Sequence, residues 1–174
     1  MRVGLVVIIL LALFFHGEGP AETRGRTGNA FLYDPSWNSL WGAEWPLIDG
    51  LNMWNFQSPV VHHGYYGWYF TGGASVCNGH YDGLSVISWA NLPEGTVAQS
   101  CRAGDLSECD IEIGRGPLFQ TGALDLASVI AHEAGHCLGF QHSERADSIM
   151  FGAYTGQRWL SWEDRAALWQ IGWR

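Results

Sequence analysis

The 174-residue chain contains no lysine; all nine of its basic residues are arginine. That excludes Schiff-base chemistry, a P-loop lysine and a polybasic membrane patch. Charge of either sign is scarce, at 15% of residues, and unbalanced, with a formal net charge of −8. A nucleic-acid partner is not expected, because phosphate binding draws on clustered basic residues. Long apolar runs are lacking too, apart from Val3 to Phe15. No CxxC pair, Cys–His zinc spacing, internal repeat or linker occurs. Hydrophobic residues instead make up 47% and aromatics 14%, including ten Trp. That is ample material for one packed domain and too apolar for a disordered chain.

Met1-Arg2, the apolar run and the small residues Gly19-Pro20-Ala21 describe a secretory signal peptide over 1–21. The run is shorter than the roughly 20 residues that span a bilayer. An uncleaved signal anchor is the rival reading. Residues 22–29 are polar and Gly-rich, a flexible leader, and 30–174 form the domain. The expected location is extracellular, with no membrane association after cleavage. In an oxidising compartment Cys77, Cys101, Cys109 and Cys137 are expected as disulfides. Of three possible pairings, Cys77–Cys101 with Cys109–Cys137 is favoured: the first closes a local loop between strands, the second ties a strand to a helix. A buried free Cys137 is the alternative.

Ala30 to Tyr33 reads as a first strand, and Leu47, Ile48, Leu51 and Trp54 recur at helical spacing, predicting a helix over about 45–56. A Gly- and aromatic-rich stretch follows. Leu84 to Trp89 and Thr96 to Gln99 read as strands around an Asn91–Gly95 turn. Asp110 to Gly114 alternates polar and apolar, as a half-buried strand does. Asp125 to Phe140 is a helical pattern with Asp125 as N-cap, and Ser161 to Asp164 opens a last helix with a capping box. The whole reads as one α+β domain.

The chemistry lies in His132-Glu133-Ala134-Gly135-His136-Cys137-Leu138-Gly139-Phe140-Gln141-His142. Two His four apart share one helix face, so both imidazoles reach one ion. Gly139 turns the chain through positive φ and swings His142 back as a third ligand. Three neutral imidazoles leave a fourth position open, as in a catalytic zinc site, where Glu133 acts as general base on a water.

These eleven residues resemble the zinc-binding consensus of the metzincin peptidases. Ser143 after the third His and Ser148-Ile149-Met150, similar to the Met-turn, point to the matrixin branch, the matrix-metalloproteinase-like group. The resemblance implies a twisted mixed sheet, an active-site helix, a second backing helix and a small C-terminal subdomain with a final helix. It implies Met150 as the floor under the metal and Tyr154 in the S1′ wall. Glu163 and Asp164 match the acidic pair that opens the final helix, with Asp164 tying it to the Met-turn. Cys109 to Ile113 resembles the strand that lines the substrate cleft. The implied activity is that of a secreted zinc-dependent metalloendopeptidase, a monomer acting on protein or peptide substrates with one catalytic Zn²⁺.

The chain departs from the family in several places. The leader 22–29 is too short for the family's prodomain, whose Cys caps the zinc; Glu22 is a weaker candidate latch. His80-Tyr81-Asp82 only faintly matches a structural zinc site, so none is expected, and His62, His63 and His80 are read as loop or surface residues. Ca²⁺ has no motif, although Asp82, Asp105 and Asp110 are available. Gly152 stands where the family has Pro. The short stretch Thr155 to Trp159 predicts a shallow or partly blocked S1′ pocket. The rival functional reading is an inactive metzincin-fold binding module, stacking Tyr65-Tyr66 and Trp68-Tyr69 on sugars.

Overall fold

The computed structural model describes residues 30–33, 44–57, 63–68, 75–104, 108–115 and 123–171. The signal segment, the leader with Glu22, and His62, Tyr69 and Asp105 lie outside them. Among the described residues, five strands form one sheet: β1 (Ala30–Tyr33), β2 (Gly64–Trp68), β3 (Ser85–Ala90), β4 (Ala98–Arg102) and β5 (Cys109–Gly114), in the order β2-β1-β3-β5-β4. All neighbours are parallel except β4 and β5, which are antiparallel. The helices are α1 (Glu44–Asn55), α2 (Leu126–Cys137) and α3 (Trp162–Ile171), and a 3₁₀ turn spans Val76–Asn78. This is the mixed α+β architecture expected.

Sequence and structure part in three strands. β2 is not legible as a strand: Gly64-Tyr-Tyr-Gly-Trp68 lacks period-two alternation, and parallel pairing with β1 extends it. The second strand of the predicted pair starts at Ala98 rather than Thr96, because Gly114 N–H donates to Val97 O (2.8 Å) where the chain bends into the ladder. The third concerns β5, buried from Cys109 through Gly114 rather than half-buried. Its polar residues are consumed internally. Asp110 accepts from the backbone N–H of Val76 and Val86 (both 2.8 Å), and Glu112 accepts from Gln99 (2.7 Å). Enclosed between β3 and β4, β5 has no free edge, so β4 and not Cys109–Ile113 forms this edge of the sheet.

α1 packs on α2, and α2 lies across β4 and β5. Leu47, Leu51 and Trp54 of α1, Ile87, Ile111 and Ile113 of the sheet, and Ile130, Ala131 and Ala134 of α2 are all fully buried in one core. Trp54 Nε1 also donates to Ala131 O (2.7 Å), fixing α1 against the middle of α2. Both favoured disulfides form: Cys77–Cys101 braces the 3₁₀ turn against β4, and Cys109–Cys137 joins β5 to the end of α2. His63 is a correction. It is buried, with its ring 5.5 Å from that of Phe31 and its backbone bonded both ways to the Asn55 side chain. His80 is exposed as read.

Candidate metal centre

α2 begins where Asp125 accepts from Ala127 and Ser128 N–H, the N-cap expected. It ends in a Schellman turn: Gly139 N–H donates to His136 O (2.9 Å) and Phe140 N–H to Gly135 O (3.1 Å), with Gly139 at φ 99°. The regular helix therefore stops at Cys137, three residues before the Phe140 read from sequence. Beyond the turn, Ser143 N–H donates to Met150 O (2.8 Å), and this bridge returns His142 to the helix face.

His132, His136 and His142 thus converge, with their potential ligand nitrogens within 4.8 Å of one another. His132 Nδ1 faces Ile149 O (2.8 Å) and His136 Nδ1 faces Phe140 O (2.7 Å). A carbonyl only accepts, so each Nδ1 carries the proton and each Nε2 presents a lone pair. The two Nε2 atoms stand 3.1 Å apart. Two lone pairs that close repel unless a cation lies between them. Nitrogens bound to one tetrahedral zinc at about 2.0–2.1 Å are roughly 3.3 Å apart, so the donor set fits that ion. Burial lowers the pKa of His132 to about 4 and of His136 to about 3, and that of His142 falls for the same reason. Imidazoles kept neutral are the form that binds metal.

Glu133 is 1% exposed. Burial raises its pKa to about 7, with an opposing contribution from the neighbouring Ser100 hydroxyl. A cavity of about 20 Å³, close to one water in size, is lined by His132, Glu133, Val129, Ile149 and Tyr154 among others. Tyr154 OH accepts from Asp125 N–H (2.6 Å), so the cavity wall is fastened to the start of α2. Arg158 pairs with Asp125 and approaches Asp49 (4.0 Å), drawing the short 155–159 segment against both helices.

Met150 is buried against α2. A Cβ at Gly135 would come 2.3 Å from Met150 Sδ and 2.6 Å from Trp54 Cζ2, so only glycine fits there. Asp164 is the anchor from below. It accepts from Ser148 Oγ (2.5 Å), Ile149 N–H (3.0 Å) and Ser161 N–H (2.7 Å). Because Ile149 O orients His132, Asp164 acts on a potential ligand through a single residue, Ile149. Glu163 accepts from Ser143 Oγ (3.0 Å). At Gly152, a Cβ would sit 3.1 Å from His142 Nδ1, so the family's Pro would crowd this imidazole. Asp82 and Asp110, considered for Ca²⁺, cap backbone N–H groups instead, Asp82 that of Leu84. Sequence reasoning missed Ser100, and it named Gly135 and Trp54 without the contacts they make, since each acts on residues remote in the chain.

The chain is similar to known proteins of one family. A family model described as matrixin matches residues 48–171. Matrix metalloproteinase-A of Caenorhabditis elegans is 55% identical over 38 residues, 22% of this chain and 7% of that protein. Karilysin of Tannerella forsythia is 43% identical over 49 residues, 28% of this chain and 10% of the relative. Human matrix metalloproteinase-21 is 39% identical over 74 residues, 41% of this chain and 13% of the human protein. The chain thus matches only a small part of each relative's length. With the family model covering most of its described domain, the chain belongs to the matrixin family of metalloproteases.

Proposed function

We propose that the protein is a secreted zinc-dependent endopeptidase, with Zn²⁺ held by His132, His136 and His142 and Glu133 as general base. The observation that carries this reading is the pair of unprotonated Nε2 atoms 3.1 Å apart beside a buried carboxyl. When bound, zinc supplies Lewis acidity toward a scissile carbonyl and an attacking water. Glu133 takes the proton of that water and delivers it to the departing amine. The substrate backbone lies along the free edge of β4 as an added strand. Tyr154 forms the S1′ wall and Met150 the floor beneath the metal. The confined cavity favours small side chains at P1′. Two disulfides agree with export, and we read the protein as a monomer acting on proteins or peptides.

The test is Glu133→Ala. The variant should retain one zinc per chain and lose casein hydrolysis by several orders of magnitude. Casein digestion at the wild-type rate would overturn the assignment of the base.

A further inference from the structure

In an antiparallel ladder, directly opposed residues project to the same face. Arg102 opposes Cys109, and Ser100 opposes Ile111. Cys109 reaches α2 through its disulfide to Cys137, so the face shared by Ser100 and Ile111 looks onto α2. Gln99 and Cys101 take the other face, where they meet Glu112 and Cys77. The Ser100 hydroxyl consequently stands against the Glu133 carboxyl. Ser100 Oγ and Glu133 Oε2 are both buried, and neither completes a hydrogen bond of ordinary geometry. A buried hydroxyl without a partner is unfavourable, and alanine would fill the same space without that penalty. The hydroxyl is a donor beside an acceptor, on the edge strand that flanks the metal centre.

Resting on the peptidase reading above, we propose that Ser100 is a positioning residue: its hydroxyl donates to the Glu133 carboxylate and holds it facing the three histidines. A small χ1 rotation of Ser100 closes the bond. Substrate docking along β4 then fixes the strand that carries the donor, coupling backbone recognition to the orientation of the base.

The experiment compares wild type, Ser100→Ala and Ser100→Thr on one fluorogenic peptide. Zinc content and Tm are measured for each. Ser100→Ala should lower kcat about tenfold while KM stays within about twofold, as expected for a lost hydrogen bond to a charged group. Ser100→Thr, which keeps the hydroxyl, should recover most of kcat. Independently of turnover, the side-chain ¹³C carboxyl resonance of Glu133 in the zinc-free chain should move in Ser100→Ala, with Glu133→Gln providing its assignment. Unchanged kcat, an unmoved resonance, or a rise in KM alone would overturn the proposal. So would equal loss in both variants accompanied by lost zinc or a lowered Tm, which marks simple packing. A wild-type chain that binds zinc and cleaves no peptide defeats the peptidase reading, and this inference with it.

Discussion

Burial holds the Glu133 carboxyl at about 7 and drives His132 to about 4 and His136 to about 3, so neighbouring residues move in opposite senses. The stability consequences oppose each other too. Glu133 is raised above its unfolded value, so its contribution is present at low pH and is lost as pH rises through about 7. The histidines are depressed, so theirs is present above about 6.5 and is lost on acidification toward 4 and 3. In the zinc-free chain, Glu133→Gln should therefore gain stability relative to wild type between pH 5 and 8, each tenfold difference in proton affinity between folded and unfolded chain being worth roughly 1.4 kcal/mol. Urea unfolding at the two pH values measures this, and a constant difference would contradict it. His132, Glu133, His136 and His142 are legible because helical spacing and one glycine turn are local properties. Ser100, Gly135 and Trp54 are not, since the Glu133 carboxyl, Met150 and the Ala131 carbonyl come to them only through tertiary packing. His63 misleads for the same reason: its burial against Phe31 depends on β2 pairing with β1, and β2 is a strand the local sequence does not announce.

At the scale of elements, α2 is fixed at both ends by neighbours. Gly135 lets Met150 and Trp54 meet it from below, so Gly135→Ala should destabilise the fold by about 1–3 kcal/mol despite alanine's better helix propensity. Denaturant unfolding checks the sign. Asp164 joins α3 to the peptide that orients His132. Asp164→Ala should lower stability by about 3 kcal/mol through its orphaned donors and weaken zinc retention against a chelator. The 155–159 segment bears on specificity. Peptide-library profiling should find Gly, Ala or Ser at P1′; a wild-type preference for Leu or Phe would refute the confined pocket. Helices and their caps are readable here because Asp125, Gly139 and Ser161 act within one turn. Strand burial is not, because alternation in Asp110–Gly114 reports polarity and not which faces are covered. The polar side chains of β5 are satisfied by backbone N–H groups and by Gln99.

For the molecule as a whole, sheet, helices and disulfides converge on one centre. Cys109–Cys137 binds the sheet to α2 immediately beyond His136, and Arg158 links the start of α2 to α1. The class of fold is legible from the spacing of helix and strand signals, while strand order is not, since the crossovers that put β1 between β2 and β3 leave no local trace. Because the proposed ligands come from α2 and the segment after it, zinc should stabilise the folded chain globally, by about 4 kcal/mol at a free concentration a thousand times its Kd. Hydrolysis should depend on zinc held by the three histidines. The direct measurement is casein hydrolysis by the wild-type chain before chelation, after removal of metal, and after return of one equivalent of Zn²⁺, with His142→Ala in parallel. Chelation should abolish activity and zinc restore it in wild type, with no restoration in His142→Ala. Hydrolysis that persists in the metal-free chain, or that zinc restores equally to both proteins, would contradict it.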